Sequence, residues 1–535
     1  MYRVNHRQVL LSLQSCATAT RRPSRPYSRK ASLASNQGDP RLDFRAFVEV
    51  LRKDGDLVDV NQEVDANLEV GAIVRRVSET NAKAPLFHNV KGARDGLWKI
   101  FGNAASLRRD QRFRYGRIAR SLGLPPDSNW KSILDKMRHA SHRDPSPANI
   151  LPTGLCKQNK IFGNDIDLTT LPVPLLHKDD GGKYLQTWGL HVLQTPDASW
   201  TNWSIFRGMV HDKRRLACLV IPGQHNSMIR EQWAREGKDQ IPWALVLGAP
   251  PAASIAASIP LPSGVSEGDY VSALTGKSLD MVKCELSNLL VPASSEIVLE
   301  GTFSLKDKGI EGPFEDYIGL HVEGESGQQP LFTVNAITHR HNAILPVSVP
   351  GRITDESHTT ASMASVQLLE LLQEHNIPVK DAFAPFQTIA TWCVLQVDIE
   401  KLGEMKTNPN ELCTRIGNLA FNSKATMLMN RILLVGDDVD IHNWDDVIWA
   451  YTSRCRPGLD EYVFDDVRGL PLIPYLKYGR ESAAKGGKMV SNCLLAMEYD
   501  GVRNFRSVDF RSSYPHELQE KVQAEWTQMG FDAED

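Results

Sequence analysis

The chain has 535 residues, 41% of them apolar and 23% charged, with a formal net charge of −3. These are ordinary globular values, and the length calls for several cores rather than one. A near-neutral balance gives no electrostatic footprint for nucleic acid. The eight cysteines are scattered without a C-x-x-C pair, which argues against a zinc cluster or disulfide scaffold and fits a reducing compartment.

Before Asp39 there are seven basic residues and no acidic one, with six serines and the apolar cluster Val9-Leu10-Leu11-Leu13. Arg-rich, Ser-rich and acid-free is the composition of a mitochondrial transit peptide, here residues 1–36. The alternative is an unprocessed tail on a cytoplasmic protein. Losing the segment takes the net charge from −3 to −10.

Order is expected from about residue 40. Phe44, Phe47, Val48 and Leu51 recur at helical spacing, residues 67–77 read as a second helix, and Leu86–Val90 reads as a strand. Residues 40–150 are therefore an α/β region. From about 160 to 350, within a middle region taken as 151–358, the texture is strands. Residues 185–195 and 202–210 alternate, 216–221 is a short apolar run, and His211–Arg215 is the charged turn of a hairpin. Further strands are expected at 296–303 and 331–337. Short antiparallel strands joined in this way favour a barrel-like β domain. The uncharged stretch from Ile241 to Val265 contains five prolines, which rule out a spanning helix, so it reads as a buried strand followed by a small-residue helix, with no membrane segment. Residues 359–535 return to α/β alternation: a helix at 365–374, buried strands at 393–397 and 431–435, a helix at 444–452 capped by Asn443, and a last helix at 517–529 with Leu518, Val522, Trp526 and Met529 on one side.

Three constellations could carry chemistry. Arg207, inside a half-buried strand, needs a carboxylate or an anionic ligand; from the segment alone, a structural ion pair serves as well. Glu311, Glu315 and Asp316 surround a Gly-Pro turn and can push one another's pKa values apart, although spacing alone fits a solvated acidic loop. Asn202, His225 and Glu267 offer an amide oxygen, an imidazole and a carboxylate, a hard set suited to Mn²⁺ or Mg²⁺, but their spacing does not bring them together. Lys485-Gly486-Gly487-Lys488 lacks the phosphate-loop spacing and has Met489 in the Ser/Thr position. No dinucleotide fingerprint or serine-hydrolase elbow is present.

Taken in order, Gly181–Thr187, Thr201–Met209, Gly264-Val265-Ser266-Glu267, Glu311-Gly312-Pro313-Phe314, Asn342–Val347, Phe464–Val467 and Lys485–Lys488 resemble the UbiD family of decarboxylases, in its branch acting on ferulic and cinnamic (phenylacrylic) acids. The resemblance spans roughly residue 40 to the C-terminus. It implies an α+β multidomain fold: an N-terminal α/β region, a split β-barrel that binds prenylated FMN, and a C-terminal α/β domain used in homodimerisation. It implies that Asn202, His225 and Glu267 hold Mn²⁺ and that Lys424 meets the cofactor phosphate. Asn202, Trp203, Ser204, Ile205, Phe206, Arg207, Gln224 and Ser258 are the expected flavin-site residues. A K⁺ shell is expected from Trp203, Ala256, Ala257, Ile259 and Glu267, largely through backbone carbonyls. Arg207 and Glu311 are the expected catalytic pair and Asp316 the proton donor. The substrate implied is an α,β-unsaturated aromatic or polyene acid, with a flavin prenyltransferase as cofactor supplier; an aromatic ring carboxylate, or flavin binding without turnover, are the alternatives.

The chain departs from that pattern at Glu315-Asp316, where relatives carry Gly-Glu. Glutamate at 315 gives up a glycine's left-handed freedom. Tyr317, Ile318, Leu320, Ala361 and Leu470 also differ, which predicts a pocket reshaped away from plain cinnamate.

Overall fold

The computed structural model describes residues 37–94, 96–352, 354–470, 472–479 and 485–531, all within one unit, Asn36–Asp535. The expected transit peptide at 1–36 lies outside the described residues. The first helix, Phe44–Lys53, buries Phe44, Phe47, Val48 and Leu51, as their spacing requires, and Asp43 caps it by accepting from the amides of Arg45 and Ala46. The expected second helix is Glu69–Thr80, and the strand at 86–90 extends over Ala84–Val90. A four-stranded sheet follows in the order Leu57–Val64, Ala84–Val90, Lys99–Gly102, Ile344–Val347. Its last strand comes from far along the chain and pairs in parallel with Lys99–Gly102, so the N-terminal sheet is completed by residues beyond the barrel strands.

The middle region is a nine-stranded antiparallel sheet. The path runs Tyr184–Gln186, Gly208–Val210, Arg215–Cys218, Gly327–His339, Ile297–Glu311, Gln240–Leu247, Gly189–Gln194, Thr201–Ser204, with Asn159–Phe162 paired to Gly327–His339. Its first strand is joined to its seventh by residues 187–188 alone, so the sheet curls upon itself into a half-barrel. The expected hairpin pairs Gly208–Val210 with Arg215–Cys218. The runs 185–195 and 202–210 are not continuous strands: the first breaks at 187–188 and the second at 205–207. At the second break residues 205–207 are half-buried. His191, fully buried, bonds the Phe206 carbonyl at 2.9 Å and stacks on the Phe206 ring at 3.6 Å. The uncharged stretch becomes the strand Gln240–Leu247 and the helix Pro251–Ser258. No helix among the described residues is long and apolar enough to cross a membrane.

The C-terminal sheet is ordered Val379–Phe383, Trp392–Val397, Arg431–Val435, Lys488–Asn492, Glu461–Phe464, parallel inside and antiparallel at both edges. The helices Ser365–Glu374 and Trp444–Arg454 stand where spacing places them, the second capped by Asn443. The last helix is His516–Glu525 rather than 517–529, so Trp526 and Met529 lie beyond its end; it buries none of its residues and Leu518 is exposed. The seven described cysteines are buried free thiols.

Candidate active site

A cavity of about 370 Å³ lies between the curled sheet and the C-terminal domain. The half-barrel contributes Asn202–Arg207, Gln224, His225, Ser258 and Glu267, the C-terminal domain contributes Ala361, Lys424, Met427 and Leu470, and the loop after the long strand adds Asp316 and Tyr317. Residues spread over more than 260 positions thus face one space.

Asn202, His225 and Glu267 are brought together. The Asn202 amide nitrogen donates to Glu267 Oε1 at 2.8 Å and lies 3.2 Å from His225 Nδ1, while the Trp203 amide donates to Glu267 Oε2 at 2.6 Å. Each comes from a different element: a strand, the first turn of the helix His225–Arg235, and the first turn of the helix Glu267–Thr275. Burial pushes the Glu267 carboxyl up to about 8, against the Trp203 amide that favours its anion. Burial, aided by the Lys424 charge, holds His225 down at about 3, so its imidazole is neutral. Asn202 Oδ1 is buried with no hydrogen-bond partner. An orphaned amide oxygen, a neutral imidazole and a carboxylate form a donor set that fits a hard divalent cation. Lys424 lies close enough to feel Glu267; burial lowers its ammonium to about 8, with Glu267 opposing.

Three of the expected potassium ligands lie at the end of one short helix. Ala256 and Ala257 are in the last turn of Pro251–Ser258 and Ile259 is its cap, so their carbonyls form the negative end of a helix. Ala257, Ile259, Trp203 and Glu267 line the cavity and Ala256 does not.

Arg207 pairs with both acids. Its Nε and Nη2 donate to the two oxygens of Glu311 at 2.8 and 3.0 Å, and Nη1 donates to Asp316 Oδ2 at 2.6 Å. The fork geometry suits guanidinium and carboxylate. The Tyr184 hydroxyl donates to Glu311 Oε1 at 2.7 Å, and the Phe314 ring lies 4.9 Å from the guanidinium. Burial raises the Asp316 carboxyl above the usual carboxylate range, opposed by the Arg207 charge. Asp316 Oδ1 accepts from the Tyr317 amide at 2.7 Å. Tyr184 and Phe314 were not singled out from sequence; a phenol buried in an apolar strand, which needs a partner, was the available signal.

The left-handed residues of this loop are Gly312 (φ 87°), Gly319 and Gly324, and Glu315 is not among the left-handed positions, so a glutamate there adopts an ordinary backbone. Gly181 is seated against the same turn: a Cβ on it would lie 2.1 Å from the Gly312 carbonyl oxygen. Tyr317, Ala361 and Leu470 line the cavity, whereas Ile318 packs behind it near Leu470 and Leu320 is exposed.

The chain matches three family models: the 3-octaprenyl-4-hydroxybenzoate carboxy-lyase N-terminal domain over residues 48–137, the Rift-related domain over 150–353 and the C-terminal domain over 357–493. It is 44% identical to ferulic acid decarboxylase 1 of Saccharomyces cerevisiae, covering 92% of this chain and 99% of that protein. It is 42% identical to pyrrole-2-carboxylic acid decarboxylase of Pseudomonas aeruginosa, covering 92% and 98%. Among solved structures, the closed form of vanillic acid decarboxylase from Sedimentibacter hydroxybenzoicus has the same fold, with a TM-score of 0.77 at 24% identity over 91% of this chain and 99% of that one. A UbiD-class enzyme from Pelotomaculum thermopropionicum, solved in complex with prenylated FMN, superposes with a TM-score of 0.70 at 24% identity, covering 87% and 96%. Three family models over most of the chain, and relatives above 40% identity, show that this protein belongs to the UbiD family of carboxy-lyases.

Proposed function

We propose that this enzyme decarboxylates an α,β-unsaturated aromatic or polyene carboxylic acid, without net oxidation, to the alkene and CO₂. The observation that carries the reading is Arg207 held by Glu311 and Asp316 on the wall of a cavity that also presents Lys424 and the Asn202/His225/Glu267 set. Prenylated FMN, when bound, supplies the sink for the electron pair left behind as CO₂ departs. Lys424 and a Mn²⁺ on Asn202, His225 and Glu267 would hold its phosphate, with a K⁺ on the carbonyls of Trp203, Ala256, Ala257 and Ile259 beside Glu267. Ser204, Ile205, Phe206, Gln224 and Ser258 are the remaining flavin-site residues.

The chain's own groups then have separable tasks. Arg207, kept charged by Glu311, orients the substrate carboxylate. Asp316, pushed toward its neutral form by burial, delivers its proton to the carbon that lost CO₂ and regains one from solvent. Ala361, Leu470 and Tyr317 all line the cavity, and their departure from the relatives' residues favours an acid other than plain cinnamate. A second reading, decarboxylation of a ring carboxylate, is favoured by the 42% identity to the pyrrole-2-carboxylic acid enzyme. The C-terminal domain serves a homodimer, a flavin prenyltransferase is the cofactor supplier, and residues 1–36 direct the protein to mitochondria. The test is co-expression with a flavin prenyltransferase and headspace detection of CO₂ and alkene from a panel of acrylic and ring acids. Protein fully loaded with the prenylated cofactor that releases CO₂ from none of them would end the proposal.

A further inference from the structure

The Lys485–Lys488 run does not form a phosphate loop, yet it ends on a buried cation whose position calls for an account. Lys488 opens the strand Lys488–Asn492 and is only 2% exposed. No ion pair to it occurs among the described residues, and burial alone lowers its ammonium to about 8. Its Nζ donates to the carbonyls of Thr426 and Met427, both at 3.2 Å, and lies 5.3 Å from the Phe421 ring centre. A buried ammonium is costly unless hydrogen bonds and a π-face replace its water, and here those groups all come from one short segment.

That segment carries Lys424. The turn Lys424–Thr426 is closed at its start by Ser423, whose Oγ accepts from the Ala425 amide at 3.3 Å. At its end the Thr426 carbonyl accepts from the Met429 amide at 3.0 Å, and Lys488 adds a second donor to it and also takes the Met427 carbonyl. Lys424, Ala425 and Met427 line the cavity, whereas Lys488 stands behind that wall. The two preceding glycines explain how the lysine gets there. Gly486 and Gly487 have φ of 92° and 68°, and a Cβ on Gly486 would lie 2.9 Å from the Asp465 carbonyl oxygen.

We infer that Lys488 is a positioning residue: from behind the cavity wall its ammonium pins the backbone of the Lys424–Met427 turn, so that the Lys424 ammonium is presented to a phosphate dianion in the cavity. This rests on the reading that Lys424 meets the cofactor phosphate, and the experiment separates the two. Full-length protein made without the prenyltransferase is titrated with FMN, with flavin fluorescence as the readout, for wild type, Lys424→Met, Lys488→Met and the double variant. Lys488→Met is expected to weaken FMN binding about tenfold, and to change it by less than about twofold in the Lys424→Met background, because the effect passes through Lys424. Lys488→Arg, which keeps the charge and the donors, is expected to stay within about threefold of wild type. If the methionine variant does not fold, Lys488→Gln, whose shorter amide cannot span to both carbonyls, serves in the same cycle. Equal losses in both backgrounds, or no loss from Lys488→Met while Lys424→Met weakens binding, would overturn the positioning role alone. Unchanged binding in Lys424→Met would overturn the phosphate reading and the positioning role with it.

Discussion

Asp316→Asn removes an acidic proton while keeping the side chain's shape, and the structure separates its two consequences. The carboxyl accepts from Arg207 Nη1 at 2.6 Å and from the Tyr317 amide at 2.7 Å. An amide has one oxygen, so one of these donors then faces an N–H group, and losing a hydrogen bond to a charged group costs ~1.5–3 kcal/mol. That loss is present in the free and the substrate-bound protein alike. Arg207 also keeps its two-point contact with Glu311 at 2.8 and 3.0 Å. Affinity for the acid should therefore change by no more than about tenfold, equivalent to ~1.4 kcal/mol. Removing a general acid instead costs on the order of 10²–10⁴ in rate. Turnover is measured by headspace alkene from holoenzyme, and affinity by calorimetric titration of the acid. The expected pattern is a kcat lowered at least about a hundredfold with little change in affinity. An Asp316→Asn enzyme turning over within about threefold of wild type would refute the assignment and move proton donation to Glu315 or Glu311.

Three further outcomes follow from the geometry. Glu267→Gln removes the carboxylate of the hard donor set, and elemental analysis should find Mn²⁺ affinity weakened at least about tenfold, because ligand charge sets the affinity of such sites; wild-type manganese content in the variant would exclude Glu267 as a ligand. His191 is fully buried and desolvation holds its imidazole down at about 3 from 6.5, the Phe206 carbonyl opposing. The folded protein thus binds fewer protons than the unfolded chain between those values, so this contribution is complete above about pH 6.5 and is lost as pH falls towards 3. Between pH 7.5 and 5 it amounts to ~2 kcal/mol, and His191→Gln should show a correspondingly smaller fall in urea midpoint than wild type; equal falls would show that His191 does not carry it. Gly181→Ala places a Cβ 2.1 Å from the Gly312 carbonyl oxygen and must displace the turn leading to Asp316. A shift of about 1 Å at reacting groups costs on the order of a hundredfold in rate, so kcat should collapse while far-ultraviolet circular dichroism is retained, and wild-type turnover would show that the turn is not held by Gly181.

Much of the local structure was legible from residue order alone. The spacing of Phe44, Phe47, Val48 and Leu51 defined a buried helical face, Asn443 marked a helix start, and five prolines excluded a membrane span from the uncharged stretch. These features depend on neighbours within a turn or two, and a linear pattern records them. The runs 185–195 and 202–210 were harder to read, because alternation persists across the breaks at 187–188 and 205–207. The second break is held by His191, whose bond to the Phe206 carbonyl ties the break to the strand Gly189–Gln194. The last helix shows the reverse case: the apolar spacing in the sequence runs on to Met529, but the helix ends at Glu525 and, among the described residues, none of its side chains is buried.

The site divides along the same line. The sequence by itself determined which groups are available: an arginine that needs an anion, acids around a Gly-Pro turn, a lysine after Phe421-Asn422-Ser423, and, through its ordered motifs, the family to which they belong. Only the tertiary structure decided which of them meet. Asn202, His225 and Glu267 share a point because a strand end and two helix starts converge there. Arg207 finds Glu311 and Asp316 because the sheet curls and the long strand ends beside it. Charge and hydrogen-bond need are properties of a residue, but desolvation and convergence belong to the fold. For that reason burial, absent from any linear pattern, is what raises Asp316 and lowers Lys424 and Lys488.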